Sequence, residues 1–342
     1  MEVKNIKIND YSIKFNDSKY KNILEKNKHL LPTFTKLGLE FQLINSNEAF
    51  ANAIRVIFND ELFVKYLDVS IFNINTDDKY ILPDNIIERI ASIPLLQNTN
   101  INKKYKLQIT NNTNDIIKIY SKDLKPIDNS KVLDFNPNIL ICTLKPNKYL
   151  SINNIAINQD YGFNNNIFSL GSFKYEIINT DFKSLSLNTN CTDFQLELIP
   201  NSNISLNDLV NLIYDNVYIR LKKIQNDINT YQLENHSTDI SKILTDLFII
   251  KSSNSNSTDQ LYEIHIINEY NTIGNLLTKY IYELDKNIEL VNYKLEHPLR
   301  HKIVINIKHN QYKKLCHTAI DNILKDLNIF KTMLLKYINK NS

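Results

Sequence analysis

The chain has 342 residues, 43% hydrophobic and 23% charged, which is enough for two or three compact domains with real cores. A formal net charge of +3 leaves no strong basic field and argues against nucleic acid as the primary partner. No apolar run reaches the length of a membrane span, the N-terminus lacks a signal-peptide core, and Cys142, Cys191 and Cys316 are too scattered for a disulfide framework.

A soluble, intracellular protein in a reducing compartment is therefore expected. Asn, Ile and Lys are heavily used, Gly occurs 4 times and Trp never, and arginine appears only at Arg55, Arg89, Arg220 and Arg300. Such usage looks like the codon bias of an AT-rich genome, so lysine counts say little about ligands.

Residues 1 to 35 hold short alternating runs, such as Val3-Lys4-Asn5-Ile6-Lys7-Ile8. A lysine-rich patch over residues 19 to 28 has Tyr20 as its only aromatic and reads as a solvated basic face. Leu39, Phe41 and Leu43 alternate with Glu40 and Gln42, a half-buried strand. Asn45 can cap the next helix, with Glu48 three residues on, as in a capping box. Phe50, Ile54, Ile57 and Phe58 then share one face of a helix over residues 47 to 62. A strand is expected over residues 66 to 74, then a helix over 83 to 91 with Pro83 at its first position and Pro94 beyond it.

From 99 to 190 the character changes to short β-like runs (106–109, 116–120, 139–144, 173–178) between Asn/Pro/Asp turns, a small β-rich insert. A strand at 194–198 and a long helix at 206–228 follow, with Leu209, Leu212, Ile213, Val217, Leu221 and Ile224 in helical register. Residues 238–250 read as a short helix, and Ser252-Ser253-Asn254-Ser255-Asn256-Ser257 as flexible linker. The chain then runs strand (261–267), helix (272–284), two strands (290–295 and 302–307) and a helix over 312–338.

One pattern occurs twice. Aligned on Asn52 and Asn275, each copy has a small residue before the Asn (Ala51, Gly274), an apolar residue before that (Phe50, Ile273) and an aliphatic two positions after (Ile54, Leu277). Each copy opens a helix behind an apolar strand. Two such units in one chain suggest an intramolecular pseudo-dimer. Its interface is expected at Phe50, Asn52, Ile54, Ile57 and Phe58 against Ile273, Asn275, Leu277 and Ile281. Asn52 and Asn275 either tie the register through buried hydrogen bonds or face water in an Asn-rich chain.

No chemistry competes with this. There is no Walker loop, GxSxG or GxGxxG, and all glycines are isolated. His297, His301 and Cys316-His317 have some ligand spacing, but no CxxC pair exists. No catalytic residue, cofactor or metal is expected.

The second unit resembles the eleventh subunit of eukaryotic RNA polymerase II, archaeal L. The residues that carry this are Asn271-Thr272-Ile273-Gly274-Asn275-Leu276-Leu277, then Tyr293-Lys294-Leu295-Glu296-His297-Pro298-Leu299, then Lys302. It departs from the family pattern at Asn271, Ile273 and Glu296. The first unit resembles the third-largest subunit, archaeal D and the amino-terminal domain of bacterial alpha, through Ala51-Asn52-Ala53-Ile54-Arg55 and Ile86-Ile87-Glu88-Arg89-Ile90-Ala91-Ser92-Ile93-Pro94-Leu95. Residues 140 to 175, around Gly162, look like that family's inserted domain. Val56 stands where the family has a second Arg, and the family's cysteine cluster is absent. A fusion of the two subunits resembles those of large DNA viruses.

The resemblance implies an α+β fold with two alpha-subunit-like dimerisation units. The first spans 1–98 and 191–230, a β-rich domain is inserted at 99–190, 231–260 is linker, and 261–342 is the second unit. It implies a non-catalytic assembly platform of a multisubunit DNA-directed RNA polymerase, one copy per complex. The partners would be the largest, second-largest and small polymerase subunits, with no sequence-specific nucleic-acid binding and no membrane. Arg55 and Arg89 match family arginines near the large-subunit surfaces; they can equally be solvated helix charges. The location implied is host cytoplasm or viral factory, with packaging in the virion open. The alternative is a free-standing protein- or nucleic-acid-binding module of the same fold.

Overall fold

The computed structural model describes residues 1–10, 37–95, 99–128, 134–161, 171–178, 193–200, 204–230, 247–251, 260–285, 288–297 and 300–341. The chain runs β1 (Glu2–Asp10), β2 (Leu37–Ile44), α1 (Glu48–Val56), β3 (Phe63–Asp68), β4 (Ile74–Thr76) and α2 (Pro83–Ala91). Next come β5 (Lys104–Asn111), β6 (Ile117–Tyr120), β7 (Lys125–Pro126), β8 (Leu140–Leu144), β9 (Lys148–Tyr161), β10 (Gly171–Ile177), β11 (Phe194–Pro200) and α3 (Leu206–Thr230). The last third holds β12 (Leu247–Lys251), β13 (Leu261–Ile267), α4 (Asn271–Leu284), β14 (Val291–His297), β15 (Arg300–Lys308) and α5 (Tyr312–Asn341).

Two four-stranded antiparallel sheets share one plan. Their orders are β1-β2-β11-β10 and β12-β13-β15-β14. In each, the second strand leads into a short helix (α1 or α4) and the third into a long one (α3 or α5). Strict alternation sets the faces. Leu39, Phe41 and Leu43 are fully buried while Glu40 and Gln42 between them are half-exposed. Inner residues of both sheets and all four helices form one continuous apolar cluster.

A separate cluster lies under the five-stranded sheet of β3, β9, β5, β7 and β4 and the β6–β8 pair. It contains Leu67, Tyr105, Ile141 and Ile152, and Ile86 and Ile90 of α2 close it. All of its members fall between Leu67 and Ile157.

Several expectations need correction. The boundaries at 99 and 190 do not coincide with the sheets. β10, expected in the insert, pairs with β11 in the first sheet, while β3, β4 and α2, expected in the first unit, belong with β9. Inter-strand pairing decides membership, and no local pattern reveals it. The helix expected at 238–250, within the supposed linker 231–260, is strand β12 at its described end, paired with β13. Residues 66–74 divide into β3, a 3-10 turn at Ile71–Asn73 and the start of β4. The helix over 47–62 is α1 followed by a π-helical turn, Ile57–Glu61. The lysine patch at 19–28, the serine-rich linker, Gly162, Cys191 and Pro298 lie outside the described residues.

Candidate interface between the two strand–helix units

The repeat seen in sequence extends into backbone geometry. Asn45 and Asn268, at matching positions after β2 and β13, both adopt left-handed conformations, φ 51° and 60°. Asn tolerates this region better than other residues with a Cβ, and it turns each strand sharply into its helix. Asn45 is thus the turn and not the cap. The cap is Asn47, whose Oδ1 accepts the Phe50 N–H at 2.8 Å.

α1 and α4 pack against each other. Phe50, Ile54, Ile57 and Phe58 on one side, and Ile273, Leu277 and Ile281 on the other, are each at most 2% exposed and lie in the shared cluster. The small residues flanking the Asn pair have a reason. Ala51 is fully buried, and a Cβ at Gly274 would sit 2.6 Å from the Tyr293 ring of β14. Asn52 and Asn275 themselves are half-buried. The Asn52 Oδ1 accepts from Arg55 Nε and Nη2 at 3.0 and 2.9 Å, a bond within one helix that does not tie the two units.

Arg55 and Arg89 lie on helices packed against different sheets. Arg89 is exposed, at a cleft with Tyr80, Leu82, Leu140 and Cys142. Burial pushes the Cys142 thiol up to about 11, against the pull of the Arg89 charge.

Residues not singled out in the sequence form the most concentrated polar contact between the units among the described residues. Arg220 of α3 donates to Glu269, from Nε to both carboxylate oxygens at 3.1 Å and from Nη2 at 2.6 Å. Its Nη1 also donates to Glu61 at the end of the π turn and to Asn216 Oδ1. The Thr272 hydroxyl of α4 donates to the same Glu61. Glu61 and Glu269 are 5% and 6% exposed. Burial alone would lower the Arg220 pKa. The charges and hydrogen bonds of Glu269 and then Glu61 outweigh it and hold the guanidinium above its ordinary value. A cleft of about 190 Å³ opens beside it, lined in part by Tyr161, Ile219 and Tyr270. The signal available in sequence was a rare arginine inside an apolar-patterned helix, next to Leu221.

Among the described residues no group of three or more His, Cys, Asp or Glu side chains could hold a metal ion. No described helix is long and apolar enough to cross a membrane.

A β-sheet backed by a short and a long helix is thus met by a second such unit, and the two share one apolar core. Residues 262–333 match the family model of the RNA polymerase Rpb3/Rpb11 dimerisation domain. Over 96% of its length the chain is similar, at 26% identity, to proteins named DNA-directed RNA polymerase RPB3-11 homolog. These come from two African swine fever virus isolates, one from a South African tick and one from a Namibian warthog, and the match covers 96% of each. Over that length the chain therefore resembles fused third-largest and eleventh polymerase subunits.

Proposed function

We propose that this chain is a non-catalytic subunit of a multisubunit DNA-directed RNA polymerase. In this reading its two units form an intramolecular pseudo-dimer that serves as the assembly platform for the largest and second-largest subunits. The observation that carries the proposal is the shared apolar cluster. α1 and α3 of one unit and α4 and α5 of the other bury their faces in one core, with the second unit matching a polymerase dimerisation domain. The first unit then comprises the β1-β2-β11-β10 sheet with α1 and α3, and residues 63–161 are its inserted domain.

The tether has a physical role here. It turns dimerisation into an intramolecular event at an effective concentration on the order of millimolar, so one chain supplies what two chains supply elsewhere. Exposed Arg89 and half-buried Arg55 are the proposed contacts to the large subunits. One copy per complex is expected, working where the viral genome is transcribed.

Affinity purification of the tagged chain from infected cells, with mass spectrometry of what accompanies it, tests this. Stoichiometric recovery of the two largest polymerase subunits is the expected result. Recovery of the chain alone, or with nucleic acid only, would overturn the polymerase role and favour a free-standing binding module.

A further inference from the structure

The two long helices align through their buried positions: Val210 with Cys316, Val217 with Ile323, Leu221 with Leu327. In that register Asn216 corresponds to Asn322, and Arg220 corresponds to Asp326. The short helices, aligned on Asn52 and Asn275, set Glu61 against Leu284 and Ser46 against Glu269. The two corresponding corners of the interface therefore carry opposite charges at one position. One corner holds Arg220 between Glu61 and Glu269. The other holds Asp326, which accepts from the Tyr280 hydroxyl at 2.7 Å and pairs with the Met1 ammonium at 3.6 Å. Close by, Glu283 accepts from Asn47 Nδ2 at 3.3 Å. Lys325, next to Asp326 in the chain, is exposed.

This inversion matters when like units meet. If second units of two chains paired in the same geometry, Asp326 of each would stand where Arg220 now stands, against the buried Glu269 of the other. A carboxylate would face a carboxylate in a desolvated corner, twice per dimer, without the guanidinium that now neutralises Glu269. First units paired with each other would keep Arg220 with Glu61 but lose Glu269. Only the unlike pairing satisfies all three charges of the Arg220 corner.

We infer that Arg220 and Asp326 are specificity-determining residues. Together they make the pairing face accept the unlike unit and reject a second copy of the second unit. This rests on the two-unit pairing proposed above. It adds a repulsive element to the apolar complementarity, which by itself discriminates poorly between two similar helical faces.

The test uses the full chain, with mass from light scattering over a range of concentrations and the urea midpoint of each variant. Wild type and D326R are expected to stay monomeric. R220E should stay monomeric with a lowered midpoint, since all pairings then contain a repulsive corner. R220E/D326R should double its mass as concentration rises, because a cation at 326 can now meet Glu269 of another copy. A lowered midpoint in R220E with a monomeric double variant would overturn the specificity role and leave the pairing reading standing. An unchanged midpoint in R220E would overturn both. Dimerisation of R220E alone would show simple opening of the interface and overturn the charge argument. Should the double variant not fold, R220E/E269R supplies the second reading. A midpoint above that of both single variants supports the pair, and one at or below them overturns it.

Discussion

Phe330 of α5 meets Phe50 of α1 edge-on, with ring centroids 6.5 Å apart and planes at 75°. The same ring lies 5.7 Å from Phe41 of β2, also edge-on. A side chain from the second unit is thus seated in the core of the first. Phe330→Ala removes a fully buried ring, and a loss of about 3–5 kcal/mol is expected from truncation plus cavity. Urea unfolding followed by fluorescence and by far-UV dichroism should shift as one transition. Two separated transitions, with only the second unit weakened, would show that the cores are independent.

Gly274→Ala tests the close approach of helix and strand. The added Cβ would press on the Tyr293 ring at 2.6 Å. Overpacking costs about 1–3 kcal/mol, and the better helix propensity of Ala returns about 1 of it. A net loss of up to about 2 kcal/mol is expected, relieved by pairing it with Tyr293→Leu. A G274A chain as stable as wild type would mean that the ring yields freely.

His265 supplies a pH dependence. It is 7% exposed, stacked 4.3 Å from Phe248, and its Nδ1 has no hydrogen-bond partner among the described residues. Burial lowers its pKa first. The charge of Lys302, which lies over Phe248, lowers it further, against the opposing pull of Glu263 and Glu296. The folded state thus resists protonation and the unfolded state binds the proton. The stabilisation is complete above the unfolded value of about 6.5 and is lost as pH falls from there through the lower folded value. Thermal melts between pH 8 and pH 5 should show this decline. His265→Phe should flatten that part of the profile, and an unchanged slope would exclude His265 as its source.

The cysteines offer a chemical probe. Burial pushes Cys316 up to about 12 and Cys142 up to about 11, so both are held as thiols at neutral pH. In a Cys191→Ser chain at pH 7.5, a thiol reagent should react slowly with the native protein and with both residues after unfolding. Fast native labelling of Cys316 would mean that α5 leaves the core readily.

What was legible in the sequence was what short-range periodicity encodes. Leu39-Phe41-Leu43 declared a strand, and Phe50-Ile54-Ile57 a helix face, because the alternation and the helical spacing both lie within a few residues. β12 departs from the expected helix because Leu247-Phe248-Ile249-Ile250 is apolar without alternation, and only its pairing with β13 makes it a strand. The expected bounds at 99 and 190 part β10 from β11 and β3 from β9 because composition does not report pairing: β10 pairs with the next strand, β11, and β3 with β9 beyond five intervening strands. The expected helix cap slipped by two positions because Asn45 and Asn47 are both good candidates, and the left-handed turn claims the first. The role of Arg220 is not legible in sequence because its partners, Glu61 and Glu269, come from separate segments.

The seating of Phe330 also sets a timetable for synthesis. Phe41 and Phe50 leave the ribosome well before the ring that caps them, which comes roughly 280 residues later in the chain. At roughly 5–20 residues per second, the nascent chain carries an uncovered aromatic face for on the order of tens of seconds. During that interval the uncovered face is open to holdase chaperones and, on crowded polysomes, to the same face of a neighbouring chain. Demand for chaperones should therefore track translation speed between Phe50 and Phe330.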